Sequence, residues 1–423
     1  MGQTTETRRI EEIVWRQDLY PRFEPNPSRI QQYAEVIELL PPIEINQHNE
    51  LIDGYHRWTA HRKAECETIE VVVTKTASDI ELDRLMAKRN ADFGIQLSQD
   101  EKAKKARQWF TDLGTNEQQI ANDLAVTLRT VQRWLADKKK DLKADRDRQI
   151  AEMWLACYTE EEIAKAVSVS ERTVPNSVEP AKSDIWQKLR IFSEYQDPDW
   201  QPPLYDVWTF QKKSNHVSHF GNSEQGIVDN LLYLYTEPFD IVVDPFAGGG
   251  ATIDICKKRL RRYWVSDRLP IVERERDIRK WDILDGPPPV IDKRRGKTAL
   301  VYLDPPYWKQ AEGKYSQDPQ DLANMELGEF YEVLSTFILA CAERMDTDGH
   351  IAMLMQPTQW NAPNREVVDH VFDLVGFVSS LKVEQRVSCP YPTQQYNAQQ
   401  VNWARENKKL LVLTRELVIW RIA

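Results

Sequence analysis

The stretch Asp244-Pro245-Phe246-Ala247-Gly248-Gly249-Gly250-Ala251-Thr252 decides how this chain is read. A short β-branched run, Ile241-Val242-Val243, enters it, and Ile253, Ile255 and Cys256 leave it at helical spacing. The order is strand, glycine turn, helix, the place where open α/β sheets bind small ligands. Glycines let the backbone approach a ligand where any Cβ would collide, and the helix start offers unpaired N–H groups to a carboxylate or phosphate. A second stretch, Asp304-Pro305-Pro306-Tyr307, follows another apolar run, Ala299 to Leu303. Both motifs therefore sit at the carboxyl ends of strands and face one edge of the same sheet. Tyr263 to Asp267 reads as a further strand ending in an acid, and a carboxylate there can accept both hydroxyls of a ribose.

Together these motifs resemble those of the DNA amino-methyltransferases, with Ala251 before Thr252 as the one departure. The resemblance implies a Rossmann-like S-adenosylmethionine-dependent methyltransferase domain over residues 204–423. Asp244, Pro245, Phe246, Gly248, Gly250 and Asp267 would hold the cofactor, and Asp282 would take its adenine amino group. Asp304 and the Pro305 carbonyl would accept hydrogen bonds from the exocyclic amine of a base. Pro306 would help fix that backbone, and Tyr307 would stack on a base swung out of the duplex. Asp rather than Ser at the first motif position favours N6 of adenine over N4 of cytosine, and cytosine stays open as the target. Methylation of cytosine C5 needs a thiol nucleophile, usually in a Pro-Cys pair, and the chain has no Pro-Cys. The segment His219 to Asn222 stands where the family closes over the methionine end of the cofactor.

Residues 1–96 alternate short strands and helices: Ile10 to Val14, a helix from Pro27 to Leu40, Ile43 to Ile45, Leu51-Ile52 and Ile69 to Val73. This is an α+β unit. Gly54, Arg57 and Ala60 reproduce a G-x-x-R-x-x-A box and resemble the ParB amino-terminal domain, which implies CTP phosphates held against a helix start. The second box of that family is incomplete: Arg89 to Phe93 keeps Asn90 and lacks the Glu and the Arg. A role for Asp53 and Arg57 in tying helix to sheet stands beside nucleotide binding.

Residues 97–180 turn helical and repeat at an offset of 43, with Ile120, Ala121, Val126, Thr127 and Val131 matching Ile163, Ala164, Val169, Ser170 and Val174. The pattern resembles tandem helix-turn-helix units, each with a polar cap before a second helix. In the first copy Arg129, Gln132 and Arg133, followed by Lys138 and Lys139, are the residues expected to reach double-stranded DNA. In the second copy Pro175 and Pro180 predict a reading helix that is short or absent. Residues 181–203 are expected to link this region to the catalytic domain.

A chain of 423 residues, 41% hydrophobic and 29% charged, suits two or three globular domains. No apolar run has the length of a membrane span, and the amino terminus lacks a signal pattern, so the cytoplasm is the expected compartment. The five cysteines are scattered singly and signal neither a disulfide frame nor a metal site. A net charge of −10 argues against non-specific coating of nucleic acid, so DNA contact falls to local basic patches. The oligomeric state is open, a dimer included. The reading is thus an adenine-specific DNA methyltransferase of restriction-modification type behind a ParB-like, helix-turn-helix module. The rival is a ParB-like regulator or partition protein whose methyltransferase fold is inactive.

Overall fold

The computed structural model describes residues 5–21, 26–92, 97–191, 203–210, 224–271, 277–391 and 396–423. The expected segment His219 to Asn222 lies outside these residues. The chain forms two compact units, Met1–Asp145 and Arg146–Ala423.

The first unit opens with β1 (Thr5–Arg9), α1 (Pro27–Ala34), β2 (Ile43–Ile45), β3 (Leu51–Asp53), α2 (Tyr55–Lys63) and β4 (Thr68–Val73). The four strands make one sheet in the order β1-β4-β2-β3. Two expectations need correction. The first strand is Thr5–Arg9 and not Ile10 to Val14, because it is an exposed edge strand without apolar alternation, and Ile10 and Ile13 dip into the core from the turn after it. The helix from Pro27 ends at Ala34, well before Leu40; the chain tightens to a single 3-10 turn at Ile37–Leu39 ahead of Pro41-Pro42, which disfavour α geometry in front of them.

Next come α3 (Asp79–Asp92), α4 (Gln99–Asp112), α5 (Glu117–Asp123), α6 (Leu128–Leu155), α7 (Glu160–Ala166) and α8 (Thr173–Ile191). The offset of 43 survives as geometry. Ala125 and Ser168 both turn the chain with positive φ (48° and 55°). Val126 N–H and Val169 N–H return to the Ala121 and Ala164 carbonyls at 3.0 and 2.9 Å. The Thr127–Thr130 and Ser170–Thr173 hydroxyl pairs are both 2.9 Å apart. The second reading helix, expected to be short or absent, instead runs 19 residues. Pro175 falls in its first turn, where an N–H has no intrahelical partner, and the helix continues past Pro180, which removes one interior hydrogen bond. Residues 181–191 of the expected linker are thus helical.

The second unit continues with α9 (Gln225–Tyr235), β5 (Ile241–Asp244), α10 (Ala251–Arg259), β6 (Arg262–Asp267), β7 (Arg279–Lys280) and β8 (Thr298–Leu303). It ends with α11 (Leu327–Arg344), β9 (His350–Met355), α12 (His370–Phe377), β10 (Lys382–Pro390), α13 (Ala398–Glu406) and β11 (Thr414–Arg421). A seven-stranded sheet has the order β10-β11-β9-β8-β5-β6-β7, parallel except at β11. β5, β8 and β9 are buried throughout, as parallel strands covered on both faces must be. Their side chains alternate between two cores. Val243, Val301, Leu303 and Met353 face α11 and α12 on one side, while Val242, Leu300, Tyr302 and Leu354 face α9 and α10 on the other.

This is a Rossmann-like, mostly parallel α/β sheet preceded in sequence by an α+β unit and a helical region, the layer architecture the sequence implies. Strand order reverses between β5 and β8, and that switch point puts Asp244 and Asp304 on one crevice. Of the two apolar runs near the carboxyl end, Leu410 to Leu413 and Leu417 to Trp420, only the second lies in a strand, β11. Leu410 is 90% exposed and its carbonyl is held by the Gln359 side chain, with no strand alongside.

Candidate functional site

A cavity of about 330 Å³ opens at the switch point. Pro245, Phe246, Gly248, Asp267, Asp282, Asp304 and Pro306 line it, so residues far apart in sequence converge as expected. Asp244 lines a smaller recess beside it with Gly248, Thr252, Tyr302, Asp304 and Glu224. Pro305 is buried behind Asp304, while Gly250 and Tyr307 border neither space directly.

The glycine turn works as its composition demands. Gly250 caps α10 with φ 81°, and Gly248 has φ 49°, conformations costly for a side chain. Asp244 accepts from Thr252 Oγ1 at 2.5 Å and from the Phe246 N–H at 2.9 Å. Burial, offset in part by those bonds and reinforced by nearby Asp304 and Asp267, pushes its carboxyl up to about 7. Asp267 accepts from the Gly248 N–H at 3.1 Å and the Leu269 N–H at 2.9 Å, which aims its carboxylate along the cavity wall. Asp282 accepts from Leu284 N–H at 3.0 Å and pairs with Arg268 Nε at 3.0 Å.

Asp304 follows β8 and accepts from the Tyr307 hydroxyl at 3.1 Å. Burial and the neighbouring Asp304 charge hold the Tyr307 phenol well above its ordinary range, so it stays a neutral donor. Next, Trp308 donates to the Met325 carbonyl at 2.9 Å, and its own carbonyl accepts from Thr358 Oγ1 at 2.8 Å. Thr358 also contacts buried His370 Nε2 at 2.9 Å. Burial depresses that imidazole to about 4, so a neutral ring braces the segment behind the tetrapeptide.

Sequence reasoning treats 308–326 only as a polar loop. It is ordered from within: Asn324 donates to the Ser316 and Asp318 carbonyls at 3.1 and 2.7 Å and accepts from the Gly313 N–H at 3.0 Å. Tyr315, Leu322 and Met325 from this loop wall the cavity. Arg268, also missed, bridges Asp282 to Asp318 of the loop. Its only sequence signal is its place after Asp267. Glu224 is the third omission: 1% exposed, it pairs with Arg415 at 2.6 Å, and its Oε1 has no partner among the described residues, nor does the nearby Tyr302 hydroxyl.

In the first unit Gly54 has φ 103°, and a Cβ there would lie 2.6 Å from Ile43 Cγ2. Ala60 is fully buried. Arg57 donates to the Pro41 and Pro42 carbonyls at 3.0 and 2.6 Å and to Asp53 at 2.8 Å. The box therefore joins α2 to the sheet, and a phosphate would compete with those three acceptors. Among the expected DNA contacts Arg129 and Arg133 are exposed, whereas Gln132 and Lys139 turn toward Glu117 of α5. Lys138 is exposed on α6. Among the described residues no helix is long and apolar enough to cross a membrane.

No protein-family model matches the chain, and no curated protein does. Among solved structures it is similar to the chromosome-partitioning protein ParB from Caulobacter crescentus complexed to the centromeric parS site. That match has 17% identity over 31% of this chain and 70% of that one, with a TM-score of 0.26. It is also similar to the N-methyltransferase NodS from Bradyrhizobium japonicum WM9 in complex with S-adenosyl-L-homocysteine. There the identity is 15% over 47% of this chain and 87% of that one, with a TM-score of 0.29. TrmN from Thermus thermophilus matches at 12% identity over 47% of this chain and 49% of that one, again with a TM-score of 0.29.

Proposed function

We propose that the chain is an S-adenosylmethionine-dependent DNA methyltransferase acting on the exocyclic N6 amine of adenine. One observation carries the reading: the Asp304 tetrapeptide and the glycine turn, 60 residues apart in the motif order, border a single cavity. The residues present fit the cofactor. The volume suits a small molecule, the left-handed glycines clear a path for it, and Asp267 is aimed to accept ribose hydroxyls. Buried Glu224 Oε1 lacks a partner, which suits an ammonium group. Asp282 would meet the adenine amine on releasing part of Arg268. When bound, S-adenosylmethionine supplies an electrophilic methyl group.

The chain's own part is to prepare the amine. Its lone pair is delocalised into the base ring, which makes it a poor nucleophile. Asp304 accepts a hydrogen bond from one N–H and the Pro305 carbonyl from the other, drawing the nitrogen toward tetrahedral geometry. Transfer would then be a direct displacement aided by position and electrostatics: the nitrogen–carbon bond forms as the sulfonium carbon–sulfur bond breaks, the thioether leaves, and the surplus amine proton passes by way of Asp304 to solvent. The Tyr307 hydroxyl fixes Asp304 in its acceptor role.

The test is incubation of the full chain with labelled S-adenosylmethionine and unmodified DNA, followed by digestion and identification of the labelled nucleoside. N6-methyladenine is the expected product. N4-methylcytosine would keep the chemistry and change the target. No transfer by protein that binds the cofactor calorimetrically would overturn the proposal in favour of a regulator with a retired fold.

A further inference from the structure

β9 ends at Met355 on the same carboxyl edge as Asp304, and β11 starts beside it, with Glu416 paired to Met355. The connection from β10 to β11 therefore returns over that edge, carrying α13. Buried Gln359 anchors it: Nε2 donates to the Leu410 carbonyl at 2.8 Å, and Oε1 accepts from the Val412 N–H at 3.2 Å. Asn361 Nδ2 reaches the Lys309 carbonyl at 2.7 Å, two residues past Tyr307, so this lip is continuous with the catalytic tetrapeptide.

On the lip Trp360 and Trp403 meet edge to face with centroids 5.5 Å apart. The Arg365 guanidinium lies over both rings, at 4.1 and 4.9 Å. Asn364 and Arg365 hold it there in consecutive left-handed conformations, φ 55° and 54°, which non-glycine residues adopt only when their surroundings impose it. Arg405, Lys408 and Lys409 are exposed next to Trp403, and none of these four cations has a carboxylate partner among the described residues. Glu366 and Glu406 are the acids of the two segments 356–366 and 396–410.

We propose that this surface docks the phosphodiester backbone of DNA beside the cavity. A guanidinium held between two indoles is fixed in place before a phosphate arrives, so it loses little freedom on binding one. Unpaired cations clustered at the mouth of a site, in a chain of net charge −10, give the local charge complementarity that a polyanion needs. The choice of DNA rests on the methyl-transfer reading above.

The test compares the full chain with Arg365→Glu/Lys408→Glu/Lys409→Glu and with the milder Arg365→Gln/Lys408→Gln/Lys409→Gln. A charge-matched control, Lys293→Glu/Arg294→Glu/Arg295→Glu, lies ahead of β8 on the opposite edge of the sheet. Duplex binding is titrated across salt, and cofactor affinity is read separately. Both patch variants should bind the duplex tenfold or more weakly, with a salt slope shallower by about 0.9 for each lost phosphate contact. Cofactor affinity should be unchanged, and the control should bind as wild type. Wild-type affinity and slope in both patch variants would overturn the proposal. So would an equal loss in the control, or tighter patch-dependent binding to RNA of the same sequence. Patch-dependent DNA binding by a protein that methylates no DNA would support the docking surface and defeat the catalytic reading alone.

Discussion

The hydrogen bond from Tyr307 to Asp304 and the burial of Asp244 put two carboxylates of one site to opposite uses. On the proposed reading Asp304 is an acceptor whose work begins when a base arrives. Asp304→Ala should lower methyl transfer by about three orders of magnitude while cofactor affinity and Tm stay near wild type; near-normal turnover would remove it from the chemistry. Asp244 holds a proton that the unfolded chain gives up. Its folded value of about 7 lies above the ordinary 3.8, so the native state binds more protons across that window. Stability should therefore fall as pH rises from about 4 to 7 and level off above, and Asp244→Asn should flatten that dependence. A cationic cofactor should bind more tightly as pH rises through 7, once Asp244 ionises. Identical pH profiles in the variant and wild type would show that Asp244 does not titrate there.

At the level of elements, β7 is a two-residue edge strand paired only with β6, so it depends on support from outside the sheet. Its Arg279 donates to the Ala156 carbonyl at 2.7 Å and lies over the Tyr158 and Trp264 rings at 4.6 and 5.5 Å. The next residues but one, Trp281 and Asp282, wall the cavity. Arg279→Ala should weaken cofactor binding several-fold and lower Tm, through lost positioning alone; calorimetry with unchanged affinity would detach β7 from the site. Strands and motifs of this unit were legible because β5, β8 and β9 are buried on both faces and read as apolar runs, the first two leading into Asp244 and Asp304. The loop walls were not: Tyr315, Leu322 and Met325 belong to no period, and their burial depends on contacts made by Asn324 and Trp308. The length of α8 was misread because a proline is costly by position, and Pro175 stands where it costs little.

Across the whole molecule a net charge of −10 confines any DNA contact to patches. Arg129 and Arg133 are exposed cations on α6, whereas Gln132 and Lys139 are engaged with Glu117, which sequence spacing could not reveal. Arg129→Ala with Arg133→Ala should therefore reduce the salt slope of full-length DNA binding by about 2, close to one per phosphate contact. An unchanged slope would give those arginines another role.

The turn after α6 packs against the seven-stranded sheet. Cys157 and Ala156 are packed among the cores of the seven-stranded sheet, and Trp154 is stacked by Arg262 at 4.5 Å. The second helical repeat is in this sense part of the outer wall of the seven-stranded sheet's unit. A truncation at residue 200 would strip that wall and leave apolar surface bare, whereas a junction near Asp145, inside α6, would keep it. On the proposed reading, amino-terminal modules are exchangeable only upstream of that point, and a chimera joined in helical register there should keep cofactor affinity and take the DNA preference of the new module.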